Sequence, residues 1–142
     1  MMTMKFTRPL RATHHCRHYS YKLREGPNCA EGVDLKSPES INPCMPNAIG
    51  DSCALRANYT PTERSAWERA MVERQARLAA AIGAVPHPIP LRTSGKVPCP
   101  NCGGVLHYSR WERGAEIHCE TDYCCEARFS IAPRTDWPAG NR

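Results

Sequence analysis

Nine cysteines carry most of the chemistry open to this 142-residue chain, and their spacing sorts eight of them into two groups. The sharper group is Cys99 and Cys102, in CPNCGG, followed by Cys119 and Cys124, in CETDYC. A C-x2-C turn puts two sulfurs on one side of a tight bend, and the glycines that follow, Gly103 and Gly104, let backbone amides turn toward them. Sixteen residues separate the two pairs, room for a hairpin that brings them together. Four tetrahedral thiolates are a preferred ligand set of structural zinc. Cys125 competes with Cys124 for the fourth position. Neighbours in an extended segment face opposite ways, so one of the two ligates, and Cys124 is the expected ligand.

The other group is Cys16, Cys29, Cys44 and Cys53, which contains no C-x2-C pair. Its block is poor in apolar residues and rich in Pro, Gly and Asn, so a second zinc would supply the cross-linking that its own core does not. His18, two residues after Cys16, is an alternative to one of the thiols. Two zinc ions per chain are therefore expected. His14, His15, His87, His107 and His118 read as surface or packing residues.

Catalysis finds little footing. Cys29-Ala30-Glu31 and Pro98-Cys99-Pro100-Asn101-Cys102 together echo the zinc-deaminase pattern. A helix and a proline-rich linker separate them, strand-like sequence follows Cys102 where a deaminase needs a helix, and Cys119 and Cys124 would have no role. There is no H-E-x-x-H, phosphate-binding loop, nucleophile elbow or dinucleotide fingerprint. An all-thiolate zinc site leaves no open coordination position to activate water.

Binding is better supplied. Tyr108, Arg110, Trp111 and Arg113 set aromatics beside guanidinium groups, which suits stacking on bases or anchoring a protein interface. Glu112, Glu116, Glu120, Asp122 and Glu126 share their block and cancel its positive charge, which weakens a phosphate-driven reading. The net charge of +5 instead gathers in residues 1–25, where Lys5, Arg8, Arg11, Arg17, Lys22 and Arg24 face Glu25 alone. Such an arm is a candidate phosphate contact or an ordinary solvated tail.

The elements that must position these residues fall into blocks. Residues 1–58 form an N-terminal cysteine module with a basic arm, residues 59–95 a helix and proline linker, residues 96–132 a zinc ribbon, and residues 133–142 a tail. In the second block Thr60 is a good N-cap, Pro61 fits the first helical position and Glu63 completes a capping box. Trp67, Met71, Leu78 and Ile82, with Ala70 and Ala81, mark the buried face of an amphipathic helix over 61–82, and Gly83 reads as its stop. Strands are expected at 105–108, 115–118 and 127–131. The fold class is thus a small metal-stabilised α+β protein: a loop-rich four-cysteine module, one helix and a three-stranded ribbon. With thirteen prolines, nine glycines and only two phenylalanines, metal must replace a large core. No run approaches the roughly 18 apolar residues of a membrane span, and the basic start has no apolar core of a signal peptide. A reducing cytoplasm, where cysteines more often hold metal, is expected.

The strings CRHY, CAEGVD, the later Cys44 and Cys53, PTERSAWE and CPNCGG…C…C resemble a family of small cysteine-rich proteins of bacteriophages and prophages. Their pattern is C-x-H-[FY], C-x-x-G-V, a cysteine pair, a P-T-x-x-E helix and a C-terminal ribbon. The similarity covers roughly residues 16–131; the Met-rich start, the doubled Cys124-Cys125 and the tail depart from it. The resemblance implies a phage accessory protein in a bacterial host cytoplasm and brings no activity with it. The expected function is non-catalytic: docking on a host protein or nucleoprotein complex to modulate or inhibit it, as an anti-CRISPR protein does. The alternative is a regulator that contacts nucleic acid directly.

Overall fold

Thr60 opens the longest element as its sequence dictates. Its hydroxyl accepts the Glu63 N–H at 3.1 Å while the Glu63 carboxylate accepts the Thr60 N–H at 2.9 Å, closing the capping box. In the computed structural model, which describes residues 5–46 and 53–140, the helix runs over Pro61–Ala84. It passes through Gly83, the expected stop. Glycine inside a helix costs only about 1 kcal/mol, and the true terminator is Pro86, which disfavours helical backbone at Val85. Among the described residues two strands, a short helix and a 3-10 turn precede this helix. Strands β1 (Tyr19–Lys22) and β2 (Gly26–Cys29) pair as an antiparallel hairpin, and the short helix α1 (Pro38–Ile41) is capped by Ser37 and runs into a 3-10 turn at Asn42–Cys44. The Pro61–Ala84 helix is α2.

After α2 come β3 (Thr93–Pro98), β4 (Val105–Trp111), β5 (Gly114–Cys119) and β6 (Glu126–Ser130), paired antiparallel in the order β3-β4-β5-β6. The expected three-stranded ribbon is therefore a four-stranded sheet. Strand β3 escapes a sequence reading because TSGKVP includes a glycine and a proline and no aromatic residue. It forms by pairing along β4 from Thr93↔Arg110 to Pro98↔Val105, at a sheet edge where a proline is tolerated.

The chain divides into two compact units: residues 10–69, and residues 1–9 with 70–142. Helix α2 contributes its first residues to one and the remainder to the other. In the smaller unit, Cys16, Leu35 and Cys44 form a minimal core with Tyr19, Cys29, Val33, Ile41 and Met45 against it. In the sheet unit, Leu106 and Ile117 are fully buried beside Ala81, Val85 and Ile89 and five cysteines. The expected tail is part of this unit: the Trp137 ring lies tilted against Phe129 at 4.7 Å and the Trp137 carbonyl accepts the Ile89 N–H. Among the described residues no helix is long and apolar enough to cross a membrane.

Candidate metal centre

Two turns of different build converge at one end of the sheet. In the first, Cys99 follows β3 directly and Cys102 ends a tight bend in which the Gly103 N–H bonds the Cys99 carbonyl at 2.9 Å. Gly103 has φ 76°, a left-handed conformation a side chain would strain, and the Gly104 N–H then points at Cys102 Sγ from 3.4 Å. In the second turn, Cys119 ends β5 and the Cys124 N–H bonds the Thr121 carbonyl. Here the left-handed position falls on Tyr123, at φ 60°. A bulky residue is rarely found there, and its ring is left half exposed while Cys124 turns inward.

The four sulfurs of Cys99, Cys102, Cys119 and Cys124 all lie within 4.8 Å of one another, and all four residues are buried. Cys99 and Cys124 are 3.7 Å apart and Cys102 and Cys119 3.5 Å apart. With Zn–S bonds of about 2.3 Å, a regular tetrahedron has edges of about 3.8 Å. The group can hold a metal ion, and its all-sulfur donor set is consistent with zinc.

Electrostatics favour a bound cation. Burial works against ionising Cys102, but hydrogen bonding from Thr121, from the Gly104 N–H and from neighbouring thiols outweighs it and brings the thiol down to about 7. Burial pushes Cys119 and Cys124 up, and nearby thiols push Cys124 further. A set of close thiols with one poised to ionise is stabilised by a divalent ion, which removes the cost of the remaining buried negative charges.

Cys125 is buried with its sulfur 3.9 Å from that of Cys124, and burial pushes its thiol up to about 11. The four-sulfur group takes Cys124, and Cys125 sits at its flank.

Two residues that the sequence marked as unremarkable hold the turns. The Asn101 side chain donates to the Arg77 carbonyl on α2 at 2.8 Å, and the Arg77 guanidinium donates to the carbonyls of Cys124 and Tyr123 at 2.7 and 3.2 Å. One helical turn thus ties both cysteine turns, while Phe6 lies 4.5 Å from the same guanidinium. A cysteine-turn carbonyl as the acceptor of an arginine leaves no mark in sequence.

The N-terminal cysteines meet differently. Cys16, Cys29, Cys44 and Cys53 line one cavity of about 210 Å³ together with His18, Val33 and Leu55. The Cys16 N–H bonds the Cys44 carbonyl at 2.9 Å, fixing those two segments to each other. Burial pushes the Cys44 thiol up, and Cys16, Cys29 and Cys53 add to the rise. Among the described residues, however, no second group of three ligand atoms is as closely gathered as the sheet set. His18 faces Glu31 at 3.7 Å.

The expected binding residues scatter. Arg110 is buried, and its guanidinium donates to the carbonyls of Trp111, Gly114 and Thr135, so it braces the sheet unit from within. Tyr108 lies on the same inner face, against the core. Trp111 is on the outer face, over Gly114, where a Cβ would come within 2.7 Å of the indole, and 5.3 Å from the Arg128 guanidinium. Arg113 is exposed in the β4–β5 turn. Arg11 is exposed; Arg17 makes a two-pronged ion pair with Glu63 and lies 5.0 Å from the Tyr59 ring.

No family model, no curated protein and no solved structure matches the chain.

Proposed function

We propose that this chain is a non-catalytic, zinc-stapled accessory protein of a bacteriophage that docks on a host macromolecular complex in the bacterial cytoplasm and inhibits or modulates it, an anti-defence role of the anti-CRISPR kind. It carries two zinc ions, one in each unit, as shape-holding elements. A buried four-thiolate ion supports binding and not hydrolysis, because it offers no open position to a substrate.

The observation that carries the docking reading is the outer face of the sheet. Register places Lys96, His107, His118 and Glu126 in one row across all four strands. His107 pairs with Glu120 at 2.6 Å and His118 with Glu126 at 3.3 Å. Beside that row Trp111 and Arg128 stack. An aromatic with an arginine, framed by charges of both signs, matches a protein surface better than a phosphate backbone. A tagged full-length protein should recover its partner from host lysate after nuclease treatment. Trp111→Ala should abolish that recovery with zinc content and melting unchanged; a large drop in melting would make Trp111 a stability residue and remove this face as the interface.

One observation favours direct nucleic-acid contact as the second reading. At the tip of the β1–β2 hairpin Tyr21 and Leu23 are largely exposed, with Lys22 and Arg24 exposed between and beside them. An aromatic among cations is a stacking and phosphate-pairing surface. Nuclease-sensitive recovery that declines steeply with salt would put this reading first.

A further inference from the structure

The two cysteine groups differ in how far the fold has built them before a metal arrives. The sheet sulfurs are gathered within 4.8 Å, all in buried residues. A backbone amide, the Asn101 side chain and the Thr121 hydroxyl approach them at 3.4, 3.8 and 3.2 Å. In the N-terminal unit only Cys16 and Cys44 are buried; Cys29 and Cys53 are half-buried at the cavity wall. Among the described residues the one sulfur there with a backbone donor is Cys53, from the Leu55 N–H at 3.4 Å. Among the described residues the sheet set alone forms a close group of ligand atoms, so the thiols lining the cavity of about 210 Å³ must draw inward to ligate.

Resting on the two-zinc reading above, we infer that the cavity formed by Cys16, Cys29, Cys44 and Cys53 is an exchangeable site for a thiophilic divalent ion such as Zn²⁺ or Cd²⁺, loaded and unloaded while the sheet unit keeps its own. Four sulfur donors select thiophilic ions. Exchangeability follows from the half-built state. Part of the binding free energy is spent on gathering the thiols, and the two half-buried ligands give an incoming chelator access. Donors around a metal's ligands typically strengthen its hold roughly 10–100-fold, and this site has few. The metal would join four separate segments, so its occupancy would govern how those segments pack on one another.

The test uses the full chain as purified with its zinc, mixed with a chromophoric chelator and followed in time. Two equivalents should be released in two phases, with rates separated by roughly tenfold or more. Alkylating the thiols freed in the fast phase and locating them by mass spectrometry should mark Cys16, Cys29, Cys44 and Cys53, with the sheet cysteines protected. Cys53→Ser should remove the fast phase and leave the slow one. Two equivalents released in one phase, or a fast phase that frees Cys99 or Cys124, would overturn the inference and leave the two-zinc reading standing. Release of a single equivalent in total would overturn both.

Discussion

Each unit of this protein brings four cysteines toward one place, with Cys125 a fifth in the sheet unit, yet one group has the geometry of a finished metal centre and the other of a loose purse. In the sheet unit the strands do the gathering: β3 delivers Cys99, β5 delivers Cys119, and hydrogen-bonded register leaves the sulfurs little freedom. In the other unit the cysteines sit on a segment before a two-stranded hairpin, at the hairpin's end, in a single 3-10 turn and on a loop. The difference teaches that cysteine count alone does not define a site; the rigidity of what carries the thiols does. A preorganised set binds without a cost of ordering the chain, whereas a loose set must meet that cost from the metal's own affinity.

The largest expected effect breaks the comparison if it fails. Cys102→Ser removes a ligand from the built site, and a structural zinc contributes on the order of 10 kcal/mol of folding free energy at neutral pH. The sheet unit should lose its dispersed amide NMR spectrum and its zinc. Cys44→Ser should disturb residues 10–69 and leave the sheet resonances in place. Equal collapse of both units in both variants would show that the two cysteine groups are not independent.

What the sequence disclosed follows the same division. The Cys99, Cys102, Cys119 and Cys124 set was legible because its spacing is local and its turn chemistry is carried by Gly103. The helix was legible from its capping box. Strand β3 was not, because an edge strand draws its stability from its neighbour and not from its own residues. Nor was the brace from Arg77 to the Cys124 carbonyl, since an arginine that donates to backbone looks in sequence like any solvated cation. The contact of Trp137 with the Phe129 ring was not legible either, since a lone tryptophan after the last strand does not announce its partner.

The second prediction contrasts two arginines expected from sequence to bind a partner. Arg110 sits inside the sheet unit with three carbonyl acceptors. Arg110→Ala leaves those acceptors short of a donor and should destabilise that unit by about 2–4 kcal/mol, read by chemical denaturation with zinc held saturating. Arg17 lies in the other unit, and its pair with Glu63 is open to solvent, so Arg17→Ala should barely move the melting temperature. A small effect at Arg110 would mean its guanidinium is free to reach solvent, and an interface role would return.

The smallest effect sharpens the picture of how α2 starts. Glu63 is held down to about 2, from an ordinary value of 4.5, first by the Arg17 guanidinium and then by the Thr60 N–H. A carboxyl whose folded value is depressed stabilises the fold above its unfolded value, and that contribution is lost as pH falls from about 4.5 toward about 2. Melting curves alone would misassign this window, because acid also protonates thiolates that hold a metal and releases it. The direct measurement is the Glu63 carboxyl chemical shift against pH. In the wild type its midpoint should lie well below 4.5. In Arg17→Ala it should rise without reaching the ordinary value, because the Thr60 N–H still donates to the carboxylate. In Thr60→Pro, which removes that N–H, the rise should be smaller, in keeping with the order of the two causes. An unchanged midpoint in Arg17→Ala would mean that the ion pair does not form in solution, and that the capping box alone holds this end of the helix.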